Sequence, residues 1–377
     1  MNWKTKRLAD LITLERGFDL PKSSRIPGNV PVISSGKVEG THNKAKIKGP
    51  GFAIGRITNL GRPRWSDIDY WPLNTTLYAK DFHGNNPRWL YYLFKIMDLS
   101  GYDSGSVQPA LNRNYISEIP VQVPSIKEQD SIVSCISALD DKIAVNNKII
   151  KIISELLKKY WRYLCNNSSE WIELGNIITF NPQTSKPSKN ACPFLEMKNL
   201  PEHGLNAQNW EIKERRSGTK FMNGDVLLAR ITPCFENGKI GIVDFLKEGE
   251  VGMGSTEYIV MRTKSALPPA AIYCIATSSE FRSYAAQSMT GSSGRQRVQV
   301  APLQKFKVPN LKPTTLKEFN SFSQSLLAIS KIHRDENQTL ARTRDELLPL
   351  LMSGKITVRD AEEASAEVGV DKHEVEE

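Results

Sequence analysis

One stretch, 128–164, limits what this chain can fold into more than any other. Taken in steps of four and three it reads Ile132, Ile136, Leu139, Ile143, Asn146, Ile150, Ile153, Leu157, Tyr160, Leu164. All but Asn146 are apolar or aromatic, and no proline or glycine interrupts the run. That is the spacing of a helix packed along a second helix. At 1.5 Å per residue such a helix is roughly 55 Å long, so it needs an equally long partner. The chain supplies one: the same steps recur in Phe322, Leu326, Ile329, His333, Glu336, Leu340, Thr343, Leu347 and Leu350. His333, Glu336 and Thr343 interrupt this second seam, and Glu336 stands at the step that Asn146 occupies in the first. The spacing predicts contacts from Ile132, Ile136, Leu139, Ile143, Ile150, Ile153 and Leu157, met by Leu326, Ile329, Leu340 and Leu347. Either seam alone also fits a long core helix of an ordinary domain. The repeated phase favours a matched pair and an internal duplication.

The segments before each helix repeat one plan. In 1–124, short runs punctuated by glycine and proline read as strands: Val30-Pro-Val-Ile-Ser34, Gly51-Phe-Ala-Ile-Gly-Arg-Ile-Thr58 and Thr76-Leu-Tyr-Ala-Lys80. A helix is expected from Pro87, capped by Asn86. Val121-Gln-Val-Pro124 is a proline-bounded extended segment before the first long helix, 125–165. In 166–312, Trp171-Ile-Glu-Leu-Gly-Asn-Ile-Ile-Thr179 echoes Leu8-Ala-Asp-Leu-Ile-Thr-Leu14, and Arg230-Ile-Thr232 repeats Arg56-Ile-Thr58. Ser255-Thr-Glu-Tyr-Ile-Val260 answers Thr75-Thr-Leu-Tyr-Ala-Lys80. The stretch 268–287 is expected as one helix, and Phe306-Lys-Val-Pro309 precedes the second long helix, 313–358. The end, 359–377, is acidic and without aromatics, a composition that reads as disordered.

Net charge is +9, although Asp360 to Glu377 holds eight acids and one lysine. The rest therefore carries roughly +16, a body drawn to polyanions, nucleic acid first. Five scattered cysteines form no C-x-x-C pair, and with five dispersed histidines they show no metal-ligand spacing. Free thiols, no apolar run of membrane length and no signal-like start together point to a cytoplasmic protein. There is no G-x-x-x-x-G-K-[ST] loop for ATP, and Asn181-Pro-Gln-Thr does not match the N-P-P-Y motif of a methyltransferase. No catalytic residue and no metal ligand is assigned.

The chain resembles the specificity subunit of Type I restriction-modification systems. Trp71-Pro-Leu-Asn-Thr-Thr-Leu-Tyr78, Gly105-Ser-Val-Gln-Pro-Ala-Leu-Asn-Arg113 and Pro120-Val-Gln-Val-Pro-Ser-Ile-Lys-Glu-Gln129 carry the resemblance in the first half. Gly224-Asp-Val-Leu-Leu-Ala-Arg230, Gly252-Met-Gly-Ser-Thr-Glu-Tyr-Ile-Val260, Thr290-Gly-Ser-Ser-Gly-Arg-Gln-Arg297 and Leu347-Leu-Pro-Leu-Leu-Met-Ser-Gly-Lys355 carry it in the second. The second helix departs from the pattern, with Leu316-Lys-Glu-Phe319 where the family often has a glutamine like Gln129. The resemblance implies an α+β fold: two pseudo-symmetric target-recognition domains joined by two long antiparallel coiled-coil helices. It implies a non-catalytic reader of a split DNA site, one domain per half-site, with the helices setting the spacing. Expected partners are double-stranded DNA, two methyltransferase subunits and restriction/translocase subunits. S-adenosylmethionine, ATP and Mg are expected on those partners and not on this chain. The alternative is a helical scaffold that binds partner proteins without reading DNA.

Candidate DNA contacts follow from side-chain chemistry. Arginine pairs bidentately with guanine, and amides pair with adenine. Arg56, Thr58, Arg62 and Arg64 share one glycine-punctuated loop, and Arg230, Thr232 and Lys239 are the second-half counterparts. Because Arg56 and Arg230 are alike in both halves, phosphate contact or a structural role suits them better than base reading. Lys37, Asn43 and Lys44 lie in a basic segment that reads equally as a solvated loop or a phosphate contact. Ser292, Ser293, Arg295, Gln296 and Arg297 form the most attractive single loop, and Gln108 with Arg113 its first-half equivalent.

Overall fold

The computed structural model describes residues 3–102, 110–166, 168–214, 217–264, 267–292 and 294–368. By internal packing the chain divides into a first unit, 1–141 with 340–377, and a second unit, 142–339. The long helices are Ile126–Cys165 and Pro313–Met352, and each contributes residues to both units.

The ends of these helices are written in local sequence. Ser125 and Glu128 form a capping box: the Ser125 amide donates to Glu128 Oε2 at 2.9 Å, and the Glu128 amide to Ser125 Oγ at 3.4 Å. Pro313 starts the second helix, where its missing amide costs nothing. Leu347-Leu-Pro-Leu-Leu-Met-Ser-Gly-Lys355 ends it. Gly354 takes a left-handed φ of 68°, its amide donates to Leu351 O, and the Lys355 amide donates to Leu350 O. Those two bonds satisfy the last carbonyls of the helix.

In the first unit a four-stranded antiparallel sheet runs in the order Thr13–Arg16, Thr76–Asp81, Gly51–Gly55, Pro63–Ser66. A second sheet joins Lys37–His42, Val30–Ser34 and Trp71–Pro72, the last pair parallel. Lys4–Arg7 pairs with the proline-bounded Pro120–Val123. Helix Pro87–Ile96 begins as expected, with Asn86 accepting from the amides of Arg88 and Trp89. Its buried face, Trp89, Leu90 and Phe94, meets Phe52 and Ile54 of the sheet, Ile132 and Ile136 of the first long helix, and Leu347, Leu348 and Leu351 of the second. Gln129, only 2% exposed, accepts from the Asn86 amide and donates to Asn85 and Pro124, tying the long helix to this domain.

The second unit repeats this plan with one more strand in its second sheet. Its sheet runs Ile178–Phe180, Tyr258–Thr263, Val226–Ala229, Ile240–Ile242. A second sheet places Ala191–Leu195 parallel to Gly252–Gly254, flanked by Glu211–Glu214 and Thr219–Phe221. Trp171–Glu173 pairs with Lys307–Pro309. Ile153, Leu157, Trp161 and Leu164 of the first long helix and Phe319 of the second complete the core. The aromatic that replaces the family's glutamine region thus packs inward, with Phe319 5.0 Å from Trp161 between ring centroids.

Within each unit the two long helices run antiparallel. Asp140 pairs with Arg344 at 2.7 Å in the first; in the second, Asn146 meets Glu336 at 2.8 Å and Tyr160 meets Phe322 at 4.7 Å between ring centroids. Ile132, Ile136, Leu139, Ile153, Leu157 and Leu347 are buried, while Ile143, Ile150, Leu326 and Leu340 are half-buried. Ile329 departs from the expected seam: it is 43% exposed, and its neighbours Ser330 and Arg334 are buried instead. The second helix has rotated because that face is held by polar partners in its own unit. Ser330 donates to Asn206, and Arg334 pairs with Asp244.

Two further expectations change. The stretch 268–287 is two helices, Pro269–Thr277 and Ser279–Gln287, because the Ser278 hydroxyl caps the second one through the Phe281 amide. The acidic end begins as helix Val358–Val368, started by a capping box in which Thr357 and Asp360 exchange backbone and side-chain bonds. Its Ala361 is fully buried in the first unit's core, which composition could not reveal. No helix among the described residues is long and apolar enough to cross a membrane.

Candidate nucleic-acid interface

In the first unit the Arg-Ile-Thr segment leaves the central strand Gly51–Gly55 and turns at once. The Arg56 amide donates to Thr75 O, and the Leu111 amide to Arg56 O, both backbone bonds. Asn59, at φ 51°, donates from its side chain to Ser35 O at 3.0 Å. That bond lays the 58–62 loop beside the turn that leads into Lys37. Arg56 is half-buried; Lys37, Thr58, Arg62 and Arg64 are exposed. Arg113 opens the short helix Arg113–Ile116 and donates to Leu14 O at 3.4 Å. Hydrogen bonds thus connect the segments bearing Lys37, Thr58, Arg62, Arg56 and Arg113. Asn43 and Lys44 are exposed but lie past the other end of Lys37–His42, roughly 20 Å along at strand rise. His42 beside them is structural, buried with Nδ1 accepting from the Ile26 amide.

The second unit builds the same corner and fills it differently. The Arg230 amide donates to Glu257 O, the Val298 amide to Arg230 O, and the Thr232 amide to Gln296 O at 3.0 Å. The loop that ends at Arg297 therefore lies along Arg-Ile-Thr. Arg297 makes a forked ion pair with Glu257, its Nε and Nη2 donating at 2.7–3.0 Å, and that carboxylate raises the guanidinium's already high pKa. Ser292, Arg295 and Gln296 are exposed. Among the described residues, the side chains of Arg295 and Gln296 have no partner. Thr232 is buried, and the Arg230 Nε is buried without a partner among the described residues. Lys239 leaves the interface: its ammonium donates to the carbonyls of Met197, Lys198 and Leu200 at 2.9–3.1 Å. The positive charge is spent holding three chain oxygens of the loop at 197–200. Gln108 and Ser293 lie outside the described residues.

Sequence reading missed Arg16, Thr75 and Glu257. Glu257 was quoted within Ser255-Thr-Glu-Tyr, but nothing in the linear order says that an acid there meets Arg297. Arg16 ends an edge strand, and only the sheet register brings it near Arg56. Among the described residues no group of three or more His, Cys, Asp or Glu is arranged to hold a metal.

Residues 1–155 match the family model described as the Type I restriction modification DNA specificity domain. The chain is 31% identical over 202 residues to the Type I restriction enzyme EcoEI specificity subunit of Escherichia coli, covering 52% of this chain and 34% of that one. It is 33% identical over 135 residues to the EcoAI specificity subunit of the same species, covering 34% and 23%. The chain thus spans about a third or less of the length of these relatives. The crystal structure of the Type I restriction-modification S subunit from M. genitalium aligns with a TM-score of 0.57 and 16% identity, over 93% of this chain and 96% of that one. At that identity the likeness is one of fold. Residues 1–155 thus match the Type I restriction modification DNA specificity domain, and the chain shares the fold of the M. genitalium S subunit.

Proposed function

We propose that this chain is the DNA-reading subunit of a Type I restriction-modification complex, acting in the cytoplasm. Each unit reads one half of a bipartite duplex site, and the chain performs no catalysis itself. One observation carries this reading: two domains whose main sheets share one strand order present the same Arg-Ile-Thr corner behind different exposed loops. A shared scaffold with unlike loops suits two unlike half-sites, since phosphate contacts position a protein and loop side chains specify bases. We assign base contact to Arg295 and Gln296, and backbone contact to Lys37, Arg62 and Arg64. The domains on this reading are 1–124 and 166–312, with the helices 125–165 and 313–358 between and after them.

Two methyltransferase subunits and restriction/translocase subunits would supply the chemistry, with S-adenosylmethionine, ATP and Mg on those chains. A dockable surface supports this. Val145, Ile152, Leu156 and Tyr163 of the first long helix are 43–63% exposed, and steps of seven and four put them on one stripe.

The test is a map of methylated adenines in the host genome with and without the gene. The expected result is a split motif, methylated on both strands, that disappears with the gene. An unchanged map would exclude the reading.

A further inference from the structure

The first unit contains a cleft of about 380 Å³ lined by Arg16, Arg56, Leu77, Ala110, Leu111, Asn112 and Arg113. Three of its lining residues are arginines. Among the described residues none of the three has an ion-pair partner, and Arg113 spends one bond on Leu14 O. Glu15, whose charge Arg113 feels, is already engaged by Lys80 at 2.6 Å and the Tyr78 hydroxyl at 3.0 Å. Three like charges gathered with no ion-pair partner among the described residues repel one another, so the arrangement is suited to an anion arriving from outside.

The matching corner of the second unit does not gather three arginines, and the sheet register shows why. Arg56 and Arg230 hold the same place, one residue past the strands Gly51–Gly55 and Val226–Ala229. Arg16 sits opposite Leu77. By the matching register, in which Phe180 sits opposite Met261 and the Asn181 amide donates to Val260 O, the residue in the place of Arg16 is Pro182. Leu111 and Val298 both donate to the shared arginine's carbonyl, so the counterpart of Arg113 is Val300. Thr75, which accepts from the Arg56 amide, is replaced by Glu257. Among the described residues, one unit therefore lines this corner with three arginines, none of them ion-paired, and the other keeps one of the three and gains an acid that pairs with Arg297.

The geometry points to a phosphate clamp that only the first unit carries: Arg16, Arg56 and Arg113 together seat one phosphodiester of the duplex. This rests on the DNA-reading function proposed above and deepens it. The first unit supplies grip through the backbone, and Arg16 is a positioning residue for its half-site. The second unit depends more on the exposed loop bearing Arg295 and Gln296.

The test uses the full chain and a labelled mixed-sequence duplex of about 30 base pairs, titrated from about 50 to 200 mM salt. The variants are Arg16→Gln, the double variant Arg16→Gln/Arg113→Gln, and a charge-matched control, Lys4→Gln/Lys6→Gln, on an exposed strand. Arg16 has no described side-chain partner, so its substitution leaves the fold intact, and a thermal melt verifies this. The double variant is expected to bind about tenfold more weakly at low salt, with the log–log salt slope shallower by about 1. Arg16→Gln alone shows part of that loss, and the control changes affinity less than about twofold. Wild-type slope and affinity in the double variant overturn the clamp and leave the DNA-reading function standing. Wild-type chain that binds no duplex overturns that function, and the clamp with it. Pyrophosphate is titrated in parallel. If it binds in a manner dependent on Arg16 and Arg113 while duplex binding is unaffected by their loss, the cleft serves a small phosphorylated ligand and the clamp is wrong.

Discussion

Arg295 and Arg297 stand two residues apart and are alike in sequence, yet the structure gives them different work. Arg297 is forked onto Glu257, and Arg295 is exposed with no described side-chain partner. Arg295→Gln should therefore leave the melting temperature within a degree or two and weaken duplex binding, by about 1–3 kcal/mol for the cognate half-site if it reads a base. Arg297→Gln should do the reverse. It removes a partly exposed pair, so the stability loss is small but measurable, and the salt slope of DNA binding stays near wild type. Thermal melts and salt titrations on the same samples separate the two. Lys239→Met extends the contrast: three carbonyls lose their donor, for a cost of about 1.5–3 kcal/mol. Unchanged stability in Lys239→Met would mean that those carbonyls find solvent without cost. None of this was legible in the sequence. Side-chain chemistry selected arginines and lysines correctly as candidates, but which are already occupied depends on acids and carbonyls distant in the chain.

At the scale of the helices, periodicity was informative where packing is apolar and misleading where it is polar. The first seam is apolar except at Asn146, and Ile132, Ile136, Leu139, Ile153, Leu157 and Leu164 are buried where the heptad puts them, joined by Ser154 and Trp161 beside it. In the second helix the buried face runs through Phe319, Ser323, Ser330 and Arg334, and the expected Ile329 is displaced because Ser330 and Arg334 answer polar groups across the unit. Arg334 is 2% exposed; it donates to Ala207 O at 3.2 Å, pairs with Asp244, and lies 5.3 Å over the Trp210 ring. Arg334→Leu would leave Asp244 without its cation, at a cost of about 3 kcal/mol in urea unfolding. Burial raises the Asp244 pKa more than its partners lower it. The penalty of an unpaired, raised carboxyl is present when it is charged and is relieved as pH falls through that raised value, so the deficit of the variant should shrink in acid. A deficit independent of pH would point to lost packing alone. The polar layer at Asn146 behaves oppositely. Burial pushes the Glu336 carboxyl up, but bonds from Asn146, Lys142 and His333 outweigh it and the net shift is downward. Its contribution is thus complete above the ordinary value of 4.5 and is lost as pH falls through the lower folded value. Asn146→Leu should destabilise at neutral pH, and the gap to wild type should narrow as pH falls below 4.5 and through the lower folded value.

For the whole molecule, the decisive feature is that two segments with few identical residues take the same strand order in their main sheets, the same strand pairing around Arg56 and Arg230, and the same proline-bounded exit into a long helix. That much was legible in order and phase: Arg-Ile-Thr twice, Val-Gln-Val-Pro and Phe-Lys-Val-Pro at the matching ends. What was not legible is that the repeated corner is charged differently in each copy, because Arg16, Arg113 and Glu257 reach it from elsewhere in the sheet and loops. On the proposed function, a duplicated scaffold whose copies differ at the corner and its loops should read its two half-sites independently. Each unit has its own core, drawn from its own sheet and its own stretches of both helices, so the loops of one need no residue of the other to fold. Grafting the segment 166–312 of a specificity subunit with a different target onto this chain, between the unchanged helices, should therefore change one half of the methylated motif. The other half should stay as it was. The junctions belong in Trp171–Glu173 and Lys307–Pro309, whose antiparallel pairing closes the domain where it meets the helices. Methylation mapping of the graft gives the answer directly. If both halves of the motif change together, the units share a reading surface, and the divergence of the two corners has another explanation.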